Sequence, residues 1–586
     1  MDADGPALVE TGGALNVRYR GRLLYSERGP ALIPGRAALA CELGPARLYL
    51  VSSPCLWYGI PELLARLEPG SAVLCLEADE ALARLSLERA PAGLLDDPRL
   101  AFLPSADPAK ALEAAAALGS FRRCVPLRLS GGDAFHADEY RRAAAVLQAE
   151  FAAAWRNRAA LLSMGRLWAR NIFRNLASLR EIGPEAPPRC EGAAFVCGAG
   201  PSLEASLPLI AARRGRLALI ACDTALPVLL GAGLEPDLVV CLEGQAHNLA
   251  DFTPAGGREI PLLADLSSHP ATFRALRGRK HLSLVHIAPG AFMRRVSGLG
   301  LPCVELPPLG SVGVHAVHLA RKLASGPVLA AGLDFSYELG KTHARGAPAL
   351  LSEERRMTRL YRSRAQLAAA FKPGARPAPG AGAAVRATAV TTTVAADGAS
   401  GQAPAPGARA GAPLTDPVLS SYAALLAEEN AGPGPLILDL RGRGLPIGGR
   451  PTSLDEADRL LAALEPSGLG AGDRPGSGSG TDKAAAARAA AEAADRAEAF
   501  LAEEADRLER VKDALRGGSG RSGGELASLV AGSDYLLWPF PDADRFGGLP
   551  QDLLNRLLVE VEYWRWKLGE IRAGSRAFRS RGPSGD

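Results

Sequence analysis

The stretch from Ala193 to Gln245, AAFVCGAGPSLEASLPLIAARRGRLALIACDTALPVLLGAGLEPDLVVCLEGQ, constrains this chain more than any other. Three short apolar runs, Ala193 to Cys197, Leu217 to Ala221 and Leu238 to Leu242, each end in small or polar residues and are separated by helix-length segments. The pattern predicts strand, glycine turn, helix, strand, polar turn, helix, strand. Gly198-Ala199-Gly200-Pro201-Ser202 is the first turn. Its glycines let the backbone bend sharply, Ser202 is placed to cap a helix beginning near Leu203, and a helix N-terminus favours an anion, so the turn reads as a phosphate seat. The second strand delivers Cys222, Asp223 and Thr224, and the third delivers Glu243, Gly244 and Gln245. Ligands of open parallel sheets lie outside the carboxyl ends of the strands, so the three clusters are expected to converge on one crevice.

The 586 residues exceed what one core usually organises, which implies several globular parts with linkers. A formal charge of +4 is small for this length and gives no argument for nucleic-acid binding. Nine cysteines show no CxxC spacing and no His/Cys cluster; they read as buried small hydrophobes in a reducing compartment. The N-terminus lacks a basic, apolar signal peptide, and no apolar run approaches the roughly 20 residues that span a bilayer. A cytoplasmic chain with no membrane span is expected.

The fold class expected is α/β: a Rossmann-like central domain with a parallel sheet, a smaller N-terminal α/β domain and a mainly helical C-terminal region. Residues 1–135 form the N-terminal domain, with a hairpin-like entry and strands at 46–51, 71–76 and 100–103. Ser52-Ser53-Pro54 there reads as a capped helix start. Residues 136–189 form a helical connector, in which Arg170, Asn171 and Arg174 read as a solvated helix face. The central domain covers 190–372, with further strands at 261–264, 281–286, 302–306 and 327–331. A helix opened by Ser311 and Gly313 offers a second set of backbone donors. Residues 373–415, rich in Gly, Ala, Pro and Thr, are a flexible linker or insertion. Residues 416–465 return to the central domain, 466–483 are a second flexible linker, and 484–586 are the helical region.

The dinucleotide fingerprint needs G-x-G-x-x-G, and here Leu203 stands at the third glycine position while Pro201 removes an N–H; both argue against NAD and against a Walker-type loop. Asp223 can accept from a ribose or base, hold a metal with Glu243, or cap the following helix; two carboxylates without a third ligand are poor evidence for metal. Gln245 and Asn248 are amides suited to a nucleobase or sugar. His343, with Lys341, Thr342 and Arg345 around it, sits in a loop after a strand end and is a candidate general base or leaving-group contact, or a solvated loop residue. His315 and His318 read as packing and capping residues. No metal and no cofactor is expected.

The segments CGAGPSLE, ACDTALPVLLGAGLEPDLVVCLEGQ, LGSVGVHAVHLA and GLDFSYELGKTHARG, in that order, resemble the central domain of the motility accessory factor (Maf-type) glycosyltransferases, which share the 6-hydroxymethylpterin diphosphokinase MptE-like domain. The resemblance covers roughly residues 190 to 350. It implies transfer of a CMP-activated nonulosonic, sialic-acid-like sugar to Ser or Thr of flagellin or another flagellar-filament protein. It also implies that Gly198, Gly200, Pro201 and Ser202 hold the cytidine monophosphate beside Asp223 and Thr224. Ser311 and Gly313 would line the opposite side, with Asp334 and His343 near sugar and acceptor. The rival readings are an ATP-dependent 6-hydroxymethylpterin diphosphokinase-like enzyme and a non-catalytic flagellin-binding module.

Overall fold

The computed structural model describes residues 5–288, 290–337, 341–360, 374–378, 413–465, 468–469, 480–517, 523–541 and 551–580. These fall into two compact units, one of residues 1–162 and one of residues from 163 onward. The flexible-linker assignments at 373–415 and 466–483 lie largely outside the described residues. Within the part that is described, Arg376–Pro377 pairs antiparallel with Leu414–Thr415, and Gly468–Leu469 pairs with Cys190–Glu191.

In the first unit, Ala7–Thr11 and Ala14–Tyr19 form an antiparallel hairpin. Four parallel strands follow: β1 (Arg47–Ser52), β2 (Ala72–Leu76), β3 (Leu100–Leu103) and β4 (Arg123–Arg128), in the order β3-β2-β1-β4. Strand β4 escapes the sequence reading because Pro126 interrupts it and arginines bound it. It lies at the sheet edge, where a proline costs no ladder bond on the open side. The expected capped helix at Ser52-Ser53-Pro54 is absent. Ser53 instead has φ +53° and donates its hydroxyl to Glu77 at 2.6 Å, and the next helix starts at Ile60 after Gly59. Glu77 is buried and satisfied from its other oxygen by the Tyr140 hydroxyl at 2.8 Å, so these polar residues tie strand ends together.

The second unit is built on a nine-stranded sheet, every adjacent pair parallel: β5 (Ala193–Cys197), β6 (Leu217–Cys222), β7 (Leu238–Cys241), β8 (Leu262–Asp265), β9 (Lys280–Val285), β10 (Cys303–Leu306), β11 (Val328–Ala331), β12 (Ile437–Asp439) and β13 (Arg450–Pro451). The order is β10-β9-β8-β7-β6-β5-β11-β12-β13. Every residue of β5, β6, β7, β8 and β11 is buried, as strands covered on both faces must be, and this is why they read as unbroken apolar runs. The α/β fold class expected from sequence holds.

A helix, α1 (Ala137–Ala177), contributes its residues from Ser163 onward to this unit. Its face at Asn171 is not solvated, contrary to expectation. Asn171 and Asn175 are fully buried. The Asn171 side-chain amide donates to the carbonyls of Gly244 and Ser267 at 2.9 and 3.0 Å, and that of Asn175 to Leu266 and Ser268 at 2.8 and 2.9 Å. Loop carbonyls beyond β7 and β8 would otherwise be buried without donors. The C-terminal helices Gly480–Arg516, Gly523–Ala531 and Gln551–Ser580 are part of the same unit. Phe173 of α1 meets Phe292, Tyr535 and Trp564 with ring centroids 5.4, 5.3 and 5.5 Å apart, a buried aromatic cluster joining sheet layer and terminal helices. Replacing Asn175 by Ala strips donors from two buried carbonyls and is expected to cost about 2–4 kcal/mol, read as a lowered urea midpoint.

Candidate active site

Chain order reverses at β5: β6 to β10 extend the sheet to one side, β11 to β13 to the other. Open parallel sheets bind ligands where the order reverses, at the carboxyl ends. There, outside β5, β6 and β11, opens a cleft of about 540 Å³. Of the residues singled out in the sequence, Gly198, Gly200, Thr224, Ser311, Gly313, Asp334, Thr342 and His343 line it. Pro201, Ser202, Asp223, Glu243, Gln245, Asn248 and Lys341 do not. The expected convergence of three strand ends is therefore corrected. The end of β7 stands two strand spacings from β5, about 10 Å, and the third wall comes from β11.

The first turn is not an open phosphate cradle. The N–H groups of Gly198 and Gly200 donate to the carbonyls of Ala331 and Gly332 at 2.9 and 2.8 Å, and that of Ser202 donates to Asp334 Oδ2 at 3.0 Å. Ser202 does not cap its helix, α2 (Leu203–Ala212); its Oγ instead accepts the Gly332 N–H at 2.9 Å. A Cβ on Gly198 would stand 2.3 Å from the Gly332 carbonyl oxygen, and one on Gly200 2.3 Å from Asp334 Oδ2. The two glycines thus serve close approach to the turn after β11. The anion at the N-terminus of α2 is the protein's own Asp334 carboxylate, which is 3% exposed. Burial raises the Asp334 pKa, while the Ser202 hydrogen bonds and the charges of Arg443 and Arg441 oppose that.

The second helix terminus remains available. Ser311 precedes α3 (Val312–Leu323) without a side-chain cap bond, and Ser311, Val312 and Gly313 all line the cleft. His315, further along α3, is a core residue as expected: it is buried, with Nδ1 and Nε2 2.9 Å from the carbonyls of Ser311 and Pro307. His318 pairs with Glu429 at 2.7 Å.

The loop from Lys341 is fastened to the first turn. The Ala344 N–H donates to the Ala199 carbonyl at 2.8 Å, and Glu204 of α2 accepts from Lys341 Nζ and the Arg345 N–H, both at 2.8 Å. Lys341 is thereby held away from the cleft, and the loop presents Thr342 and His343 to it. Burial lowers the His343 pKa, so its imidazole is neutral at neutral pH. Sequence reasoning missed Tyr337 and Glu353, which also line the cleft, and Arg441, which donates to the Leu333 carbonyl at 2.6 Å while bound to Asp439. The helix carrying Glu353, Pro348–Arg355, was signalled only by a proline at its first position and by Leu350 and Glu353 three apart.

Off the cleft, Asp223 is 1% exposed and accepts the Thr224 N–H at 2.8 Å, while Glu243 accepts the Gln245 N–H at 2.9 Å. Asn248 Nδ2 lies 3.4 Å from Asp223 Oδ2, and the Gln245 amide faces Met164 Sδ at 3.5 Å. Beside them burial, with the Asp223 charge, pushes Asp251 up to about 7. An unfolded aspartate ionises near 4, so the native state holds the extra proton between these values and its stability falls as pH rises through that window. Urea midpoints are expected to drop from pH 5 to pH 8, and Asp251→Asn is expected to reduce that slope.

Residues 170–340 match the family model of 6-hydroxymethylpterin diphosphokinase MptE-like proteins. An uncharacterized protein of Treponema pallidum (strain Nichols) is 31% identical over 364 residues, which are 61% of this chain and 63% of that protein. A second uncharacterized protein of the same organism is 38% identical over 82 residues, 14% of this chain and 39% of its own length. The chain thus spans less than two thirds of either relative. Among solved structures, the Maf glycosyltransferase from Magnetospirillum magneticum AMB-1 is similar with a TM-score of 0.51 at 15% identity, across 100% of this chain and 94% of that one. An identity that low speaks to fold alone. The chain therefore carries an MptE-like domain at residues 170–340 and shares the fold of a Maf glycosyltransferase, the resemblance that the CGAGPSLE series carries in the sequence.

Proposed function

We propose that this chain is a glycosyltransferase that moves a nonulosonic acid from its CMP-activated form to Ser or Thr of flagellin or another flagellar-filament protein, in the cytoplasm. The observation that carries the reading is the cleft at the point of strand reversal, where a free helix N-terminus faces a neutral histidine and a buried carboxylate. The fold shared with a Maf glycosyltransferase supports it.

In this reading the donor phosphate sits at the N-terminus of α3, on the backbone around Ser311 and Gly313, with the Thr224 hydroxyl beside it. Backbone donors and the helix dipole stabilise charge on a single leaving phosphate without a divalent ion. Asp334 repels phosphate from the first turn and leaves that side of the cleft to sugar and acceptor. His343 accepts the proton of the acceptor hydroxyl as its oxygen bonds the anomeric carbon. The bond from that carbon to the phosphate oxygen breaks, and the electron pair leaves with CMP. Gly198, Gly200, Pro201 and Ser202 shape the floor; Asp223, Glu243, Gln245 and Asn248 hold the ends of β6 and β7 beside it.

A second reading, diphosphoryl transfer from ATP, is favoured by the name of the family model that residues 170–340 match. It requires magnesium to neutralise the transferring phosphates. Calorimetric titration with CMP and with ATP, each with and without magnesium, separates the two. CMP is expected to bind in EDTA. Ser311→Asp, a good N-cap that leaves α3 intact, is expected to weaken CMP at least about tenfold by charge repulsion. His343→Ala is expected to keep CMP affinity and to lose about 10²–10⁴ in transfer. Magnesium-dependent ATP binding without CMP binding would favour the diphosphokinase, and no nucleotide binding a non-catalytic module.

A further inference from the structure

The walls of the cleft are poor in positive charge. No lysine or arginine is among the described residues that line it, His343 is neutral, and Asp334 and Glu353 bring two carboxyl groups. Arg441, beside the turn after β11, is already engaged: it pairs with Asp439 and donates to the carbonyls of Leu333 and Leu445. A CMP-activated nonulosonic acid carries one negative charge on its phosphate and another on the carboxylate attached to its anomeric carbon. The N-terminus of α3 meets the phosphate. A second anion brought against Asp334 and Glu353 needs a cation.

Lys341 is placed to supply it. It directly precedes Thr342, which lines the cleft, so the two Cα atoms are about 3.8 Å apart. Its ammonium, on a flexible stem, lies 2.8 Å from Glu204 Oε2, with 31% of the Lys341 side chain and 28% of the Glu204 side chain exposed. A pair partly open to water contributes little to stability and exchanges partners readily. Nor does the loop depend on it. Glu204 Oε1 separately accepts the Arg345 N–H at 2.8 Å, and the Ala199 carbonyl holds the Ala344 N–H at 2.8 Å. Glu204 lies in the first turn of α2, where the helix dipole favours a carboxylate that has lost its lysine.

We propose that Lys341 binds the donor's carboxylate: it leaves Glu204 when a CMP-activated nonulosonic acid enters and pairs its ammonium with the sugar carboxylate, while Glu204 keeps the loop in place through Arg345. This rests on the glycosyl-transfer reading. No covalent bond changes in the exchange; one ion pair replaces another, and the new one forms inside the cleft, where charges are less screened by water. It offsets the repulsion between the donor and the two wall carboxylates. The cleft thereby selects acidic sugars over neutral ones by charge.

The test is calorimetric titration of the full chain, without acceptor, using CMP, CMP-N-acetylneuraminic acid and the carboxyl methyl ester of that sugar nucleotide. Wild type is compared with Lys341→Met and Glu204→Gln. Lys341→Met removes a charge-assisted contact, so it is expected to weaken the acid at least about tenfold and to leave CMP and the ester within about threefold of wild type. The unchanged ligands show that the cleft is intact. Wild type is expected to prefer acid to ester by about tenfold or more, and Lys341→Met to show no preference. Glu204→Gln keeps an oxygen for the Arg345 N–H but releases Lys341, and is expected to tighten the acid about two- to fivefold. A pair that only fastens the loop predicts that both substitutions weaken all three ligands alike. That result, an unchanged acid affinity in Lys341→Met, or weaker binding in Glu204→Gln would overturn the exchange and leave the glycosyl-transfer reading standing. Equal losses for CMP and the acid would assign Lys341 to the phosphate and overturn the carboxylate contact. A wild type that binds neither sugar nucleotide would overturn the glycosyl-transfer reading and the exchange with it.

Discussion

The pairing of β11 with β5 is the interaction on which the rest of the second unit depends. Ala331 lies beside Cys197 at the carboxyl ends of the two strands, and from that point the turns after each strand are locked together. Gly198 and Gly200 give their N–H groups to Ala331 and Gly332, Gly332 gives its own to Ser202, and Ser202 gives its own to Asp334. These reciprocal bonds are buried, where an unmatched donor costs a large fraction of net stability. They also settle what the cleft offers. A glycine turn that would otherwise present open N–H groups has a carboxylate built against it, and the free helix terminus is the one at α3.

The layers around the sheet are fixed by a small number of specific contacts over a general apolar background. Buried aliphatic and aromatic side chains supply most of the stabilisation, at about 25 cal/mol per Å² of apolar surface removed from water. They do not by themselves set the orientation of an element. Asn171 and Asn175 do that for α1, since each amide must meet two loop carbonyls. Glu560 does it for the last helix: it is fully buried, and its Oε1 accepts from Arg166 Nε at 2.9 Å and from Trp564 Nε1 at 2.8 Å. A long helix slipped by one turn would leave these groups buried without partners.

Burial acts on the titratable groups of the cleft in opposite senses. It raises Asp334 and Glu353 and lowers His343, because in each case the charged form is the one penalised. The fastening of the 341–345 loop to Ala199 and Glu204 is what keeps His343 among them.

The sequence by itself determined the central strands, the α/β class and the helical C-terminal region, because period and continuity of apolar residues are local properties of the chain. It also singled out the residues after β5 and β11 and at the start of α3, since small and polar residues at strand ends stand out against apolar runs. Tertiary structure decided the rest. Which strands become neighbours depends on non-local pairing, so the separation of Asp223, Glu243, Gln245 and Asn248 from the cleft was not legible in their regular spacing. Ser202 looked like a helix cap because its partner, Gly332, is far along the chain. Asn171 looked solvated because the carbonyls it serves belong to other loops. Glu353 lay in a segment too polar and too short for a periodic signal, and only the fold brought it to the cleft.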